Sequence, residues 1–133
     1  MELRMIGTVR SPLKDRETAP KQGDEGAPEA VLKISSQFAQ GLNGIGEGDE
    51  ILVLTWLHQT DRDVISVHPR GDVTRSETGV FATRSPDRPN PIGLHRVRVV
   101  AVEGDALRVE GLEALDGTPV LDLKPVLGAV EER

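Results

Sequence analysis

Apolar positions in this 133-residue chain come in short bursts rather than long stripes, with polar residues interleaved. Met5–Arg10 (MIGTVR), Ala30–Ile34 (AVLKI), Val64–Val67 and Gly79–Thr83 read as short strands rich in β-branched and aliphatic residues. Glu50–His58 (EILVLTWLH) is apolar at nearly every position, the pattern of a central strand covered on both faces. Arg96–Val102 (RVRVVAV) opens with strict alternation, Val97 and Val99 on one face and Arg96 and Arg98 on the other. A turn at Glu103-Gly104-Asp105-Ala106 then leads into Leu107–Val109, a hairpin signal, and Pro119–Lys124 (PVLDLK) supplies the last strand. Only Ser35–Leu42 (SSQFAQGL) reads as helix, capped by serine and halted near Gly41–Gly44. Seven to eight short strands with one short helix, no βαβ alternation and no internal repeat predict an all-β fold, a small closed or partly open barrel or a sandwich.

Composition narrows the chemistry. Glycine and proline together make 23 of 133 residues, so the strands are punctuated often, and the length suits a single domain spanning 1–133. No apolar run is long enough for a membrane-spanning helix, and MELRMIGTVR lacks the apolar core of a secretory signal. The absence of cysteine excludes disulfides, thiolate metal sites, iron–sulfur clusters and a cysteine nucleophile, and is compatible with a cytoplasmic location. Phe38, Trp56 and Phe81 are the whole aromatic inventory, which argues against binding nucleic acid by stacking bases on aromatic platforms. The net charge of −6 hides an asymmetry. Arg62 to Arg98 carries seven Arg against four acids (+3), and the rest carries nine basic and eighteen acidic residues (−9). That is a local anion-binding surface on an acidic body.

Several segments invite chemistry. Gly44-Ile45-Gly46-Glu47-Gly48 follows the predicted helix and precedes a strand, the reverse of a nucleotide-binding glycine loop, so it reads as a turn. His58, His68 and His95 have no close metal-ligand spacing, and no metal is expected. His58 ends the apolar strand and is followed by Gln59, Thr60 and Asp61, which places polar groups at a barrel mouth or simply at the point where the strand meets solvent. Gly79–Leu94 (GVFATRSPDRPNPIGL) is stiffened by Pro86, Pro89 and Pro91 and carries Arg84, Arg88 and Asn90. A rigid backbone of this kind is either a structural loop or one that holds arginine forks still for a carboxylate or phosphate. Asp122 and Lys124 share one face of the last strand, either as a solvated ion pair or as pocket residues. Asp15–Ala27 (DRETAPKQGDEGA) reads as a solvated loop.

Gly79–Leu94, followed downstream by Leu115–Pro125 (LDGTPVLDLKP), resembles the TrmO family, also described as TsaA-like or YaeB-like. IGTVRSP near the N-terminus, Pro20-Lys21-Gln22 and Trp56-Leu57-His58-Gln59-Thr60 match further family segments in the same order, so the resemblance runs from about Met5 to Pro125. It implies a β-barrel methyltransferase that takes S-adenosyl-L-methionine and methylates N6 of threonylcarbamoyladenosine beside the anticodon of tRNA. It also implies a homodimer with the site near the subunit contact. On this resemblance the cofactor meets Lys21, Gln22, Gly23, His58, Gln59, Arg84, Leu94, Leu112 and Glu113, the last two in the Glu110–Glu113 segment. Arg88 and Asn90 face the substrate, Arg88 toward a phosphate or the threonyl carboxylate. Asp122 is the first candidate for general base, His58 the second, and Lys124 stands with Asp122 in the catalytic set.

The sequence departs from the family at Lys21, usually arginine; at Asp87, commonly aromatic; at His95, commonly small and polar; and at Val126, frequently tyrosine. The extra C-terminal domain that longer members carry is not expected here. Two other readings stay open from sequence: methylation of a small molecule or another RNA, and a non-catalytic cofactor-binding module.

Overall fold

The computed structural model describes residues 1–13, 29–68, 74 and 76–127. Six strands close into an antiparallel barrel: β1 (Gly7–Arg10), β2 (Ala30–Ile34), β3 (Glu50–Trp56), β6 (Ile92–Glu103), β7 (Ala106–Glu110) and β8 (Pro119–Pro125). Their order around the barrel is β1-β2-β7-β6-β3-β8, with β8 returning to β1 through Gly7↔Val120 and Thr8↔Pro119. Two further strands, β4 (Ser66–Val67) and β5 (Thr78–Gly79), form a separate two-stranded sheet in the excursion between β3 and β6.

Alternation along the strands decides which side chains fill the barrel. Val9, Leu32, Ile34, Ile51, Val53, Val97, Val99, Leu107, Val109 and Val120 point inward and are buried, with Leu112 from the β7–β8 connection joining them. β3 is central, lying between β6 and β8, and its other face carries Leu52, Leu54 and Trp56, each partly exposed. Two irregularities help to bend the wall. Leu54 pairs with Asp122 but Thr55 with Val120, leaving Leu121 as an extra residue; Val99 pairs with Val109 but Ala101 with Arg108, leaving Val100. The β6–β7 hairpin turns through Gly104 and Asp105, with Gly104 at φ 66°, a conformation open to glycine. Lys33 pairs with Asp105 there and holds its carboxyl below the usual carboxylate range.

The all-β expectation holds, with shifts in its details. Ser36–Leu42 is a 3-10 helix rather than an α-helix; it has no side-chain cap, and Phe38 N–H bonds to the Ser35 carbonyl three residues back at 2.9 Å. The strand expected over Gly79–Thr83 is mostly a 3-10 turn, Val80–Ala82, whose carbonyl at Val80 is held by the Arg88 guanidinium. β6 begins at Ile92, four residues before the alternation that revealed it, because two of its inward positions are Gly93 and His95 rather than apolar side chains.

Candidate functional site

Strand polarity brings several of the candidate residues to one end of the barrel. There β3 ends at Trp56, β6 begins at Ile92, and the connection 111–118 crosses from β7 to β8. The proline-rich loop is tied down at this end by groups from the β3 side. Leu57 N–H donates to the Pro91 carbonyl at 2.7 Å, and Asp61 N–H to Asp87 Oδ1 at 2.9 Å. Arg62 Nε donates to the Pro89 carbonyl at 2.7 Å and its Nη2 to Asn90 Oδ1 at 3.1 Å, while the guanidinium lies 5.0 Å from the Trp56 ring centroid. Arg62 was not singled out from sequence; a polar residue shortly after the strand carries no mark of what it will clamp.

Within that loop the two expected arginines differ. Arg84 is exposed and has no ion-pair partner among the described residues. Arg88 is partly buried: its Nη2 donates to the carbonyls of Val80 and Thr83, the latter at 2.6 Å, and its Nε is buried without a partner among the described residues. Arg84 is therefore available to a ligand, whereas one edge of Arg88 holds the backbone of the turn. Asn90, exposed, presents its amide nitrogen while its carbonyl oxygen accepts from Arg62.

The hydrogen-bond direction at His58 is set by its neighbour. The Thr118 hydroxyl donates to the Leu115 carbonyl at 2.6 Å, so toward His58 Nδ1, 3.5 Å away, it acts only as an acceptor. His58 Nδ1 is therefore the donor in that contact, and Nε2 has no hydrogen-bond partner among the described residues. Gln59, next in the chain, has φ 62° and is the one non-glycine residue in the left-handed region among those described. Holding an L-residue there costs roughly 1–2 kcal/mol, so this turn is fixed by its surroundings at the point where two expected ligand contacts meet.

The remaining expected residues divide. Glu113 is partly exposed and its Oε1 accepts from His95 Nδ1 at 2.8 Å. Leu112 is fully buried in the barrel core, so a ligand contact at this residue involves its backbone. Leu94 lies outside the barrel wall, 44 % exposed, opposite Leu54, which is in turn opposite Asp122. Asp122 and Lys124 also point outward and form an ion pair at 3.3 Å with both side chains about half exposed. Asp122 Oδ1 accepts from Leu123 N–H at 2.9 Å. Leu94 and Asp122 are two strands apart, roughly 10 Å by strand spacing. Within one chain they lie on the outer face of the wall that β6, β3 and β8 form. Lys21, Gln22 and Gly23 lie outside the described residues. Among the described residues no three His, Cys, Asp or Glu side chains converge as a metal-ligand set.

The family model described as "tRNA-methyltransferase O N-terminal domain" matches residues 8–132. A protein of Methanothermobacter thermautotrophicus named "Probable S-adenosyl-L-methionine-binding protein" is 45% identical over 125 residues, covering 94% of this chain and 89% of that protein. An "S-adenosyl-L-methionine-binding protein" of Archaeoglobus fulgidus is 44% identical, covering 93% and 88%. The crystal structure of TrmO from Pseudomonas aeruginosa superposes with a TM-score of 0.78 at 29% identity over 100% of this chain, which spans 59% of the length of that protein. With that match over nearly all of its length, the chain belongs to the family of tRNA-methyltransferase O N-terminal domains.

Proposed function

We propose that this protein binds S-adenosyl-L-methionine at the barrel end and transfers its methyl group to N6 of threonylcarbamoyladenosine in tRNA. The observation that carries the reading is the presence at one barrel end of Arg84, the Glu113 carboxylate and the His58 ring, with no partner for the Arg84 guanidinium or for His58 Nε2 among the described residues. Family membership and the S-adenosylmethionine-binding relatives support it. The side chains suit the cofactor's parts: a guanidinium fork for its carboxylate and a carboxylate acceptor for ribose hydroxyls. When bound, the cofactor supplies an electrophilic methyl group on a sulfonium sulfur.

The chain's own contribution is then binding, orientation and proton acceptance. Arg84 anchors one end of the cofactor. The loop fixed by Arg62, Arg88 and three prolines limits motion of the groups that align donor and acceptor. The N6 nitrogen has a delocalised lone pair, so its proton has to leave as the new bond forms. His58 Nε2 is the acceptor we assign, in place of Asp122, whose carboxylate is paired with Lys124 on the outer wall. A homodimer belongs to the same reading. Ile92 and Leu94, 42 % and 44 % exposed, adjoin Trp56 and Leu54 on the outer wall and make the apolar surface a second copy covers. Sedimentation velocity at micromolar concentration should return the dimer mass; a monomer at all concentrations would remove this part.

Calorimetric titration with S-adenosylmethionine tests the central reading. Saturable binding is expected, weakened about tenfold or more by Arg84→Ala through loss of a charge-assisted contact. Transfer of labelled methyl groups from the bound cofactor to tRNA carrying threonylcarbamoyladenosine is expected to follow. No binding by the wild type, with or without tRNA, would end it.

A further inference from the structure

The barrel interior contains a polar chain that the methyl-transfer reading does not use. Thr55 on β3 is fully buried and faces inward among Ile51 and Val53. Its Oγ1 lies 2.8 Å from His95 Nε2, and His95 Nδ1 lies 2.8 Å from Glu113 Oε1. The His95 side chain is 4% exposed and that of Glu113 23%, so the chain runs from the core outward to the barrel end. Space for it comes from Gly93, which pairs with Thr55 across the β3–β6 ladder. A Cβ at residue 93 would sit 2.5 Å from Thr55 Oγ1 and 2.7 Å from His95 Nε2, so the imidazole occupies the slot that the missing side chain leaves.

Donor and acceptor roles along this chain follow from its ends. An ionised Glu113 carboxylate only accepts, so His95 Nδ1 donates to it. Thr55 Oγ1 has no other hydrogen-bond partner among the described residues, and its hydroxyl proton is satisfied by donating to His95 Nε2. The result is one direction throughout: Thr55 to His95 to Glu113. It fixes one oxygen of Glu113 and leaves Oε2 without a hydrogen-bond partner among the described residues.

We infer that His95 is a positioning residue, which with Thr55 behind it holds Glu113 so that Oε2 accepts a hydrogen bond from a ribose hydroxyl of the bound nucleoside cofactor. The inference rests on the cofactor reading above and deepens it. A carboxylate free at one oxygen and locked at the other is suited to a vicinal diol, because an acceptor already aligned loses little freedom when the hydroxyl arrives. Glu113 touches the ligand; His95 acts through Glu113.

The test compares His95→Gln with His95→Asn. A glutamine amide reaches the position of Nε2 and keeps the Thr55 contact, whereas an asparagine amide reaches that of Nδ1 and keeps the Glu113 contact. Each variant therefore loses one buried hydrogen bond. Titration with S-adenosylhomocysteine, the demethylated form of the cofactor, should show His95→Gln weakening affinity about tenfold or more and His95→Asn recovering most of that loss. With the 2′,3′-dideoxy form of the same ligand, His95→Gln and wild type should bind alike. Nitrogen-15 NMR of the wild-type imidazole should show the proton on Nδ1.

Equal weakening by the two variants would reduce His95 to a purely structural role and overturn the inference, as would a proton found on Nε2. A His95→Gln loss that persists with the dideoxy ligand would overturn the ribose assignment. A wild type that binds no S-adenosylhomocysteine and no S-adenosylmethionine overturns the cofactor reading and the ribose assignment together. Wild-type binding untouched by His95→Gln overturns this inference alone.

Discussion

Gly7→Ala should destabilise the barrel by about 3 kcal/mol, lowering its melting temperature on the order of 10 °C. A Cβ at this position would lie 2.3 Å from the Lys33 carbonyl oxygen, closer than any real contact of that kind. The obstacle is backbone on β2, so no side-chain rotation relieves it. Relief requires β1 to move away from β2, where Gly7 pairs with Ile34, and the same residue also pairs with Val120 of β8. Strain at residue 7 is therefore shared by two seams of the barrel. Urea denaturation monitored by circular dichroism gives the number directly. A midpoint unchanged from wild type would show that the two strands part easily, contrary to the packing described.

His58→Gln should lower the rate of methyl transfer about 100- to 10,000-fold, the range a general base contributes. Cofactor affinity should change far less than turnover, because the Nε2 lone pair is needed when the substrate proton departs. Asp122→Asn provides the contrast: its carboxylate is exposed, paired with Lys124, and on the outer wall, so turnover should stay within about threefold of wild type. Single-turnover assays with saturating cofactor separate the two. If Asp122→Asn is the crippled variant and His58→Gln is not, the assignment of the base reverts to Asp122, and the outer wall becomes part of the site through a second copy of the chain.

The strands were legible in sequence where alternation was clean. Ala30–Ile34 is bounded as expected, and β3 was identifiable as central because Leu52, Leu54 and Trp56 are apolar on the face that does not line the core. The start of β6 was not legible, since Gly93 and His95 occupy inward positions and break the pattern that announces a buried strand. The turn at Val80–Ala82 is secured by Arg88 from further along the chain, a contact with no local signal.

At the site, the polar end of the Glu50–His58 strand and the proline-stiffened loop brought His58, Gln59 and Arg84 to notice, the resemblance implied their ligand, and the direction of the Thr118 hydroxyl then distinguished the nitrogens of His58. The outward placing of Asp122 could not be read from alternation. The extra residue at Leu121 lets Val120 and Leu123 both turn toward the core, which shifts the phase of everything after it. Thr55 was visible as a polar residue inside an apolar strand. Its meaning was not, because Glu113 reaches the same chain of bonds from the connection between β7 and β8, far along the chain.

The seam between β1 and β8 joins residue 7 to residue 120, and this governs the order in which the molecule can assemble. Hairpin β6–β7 and its pairing with β3 involve nearer segments and a smaller entropy of loop closure. Among the described strands β8 is the one farthest along the chain. Until β8 arrives, β1 and β3 are the two open edges of a five-stranded sheet, each offering unpaired amides and carbonyls to any passing strand. β8 satisfies both edges in one event, so a barrel without β8 seated exposes two pairing edges and the closed barrel exposes neither.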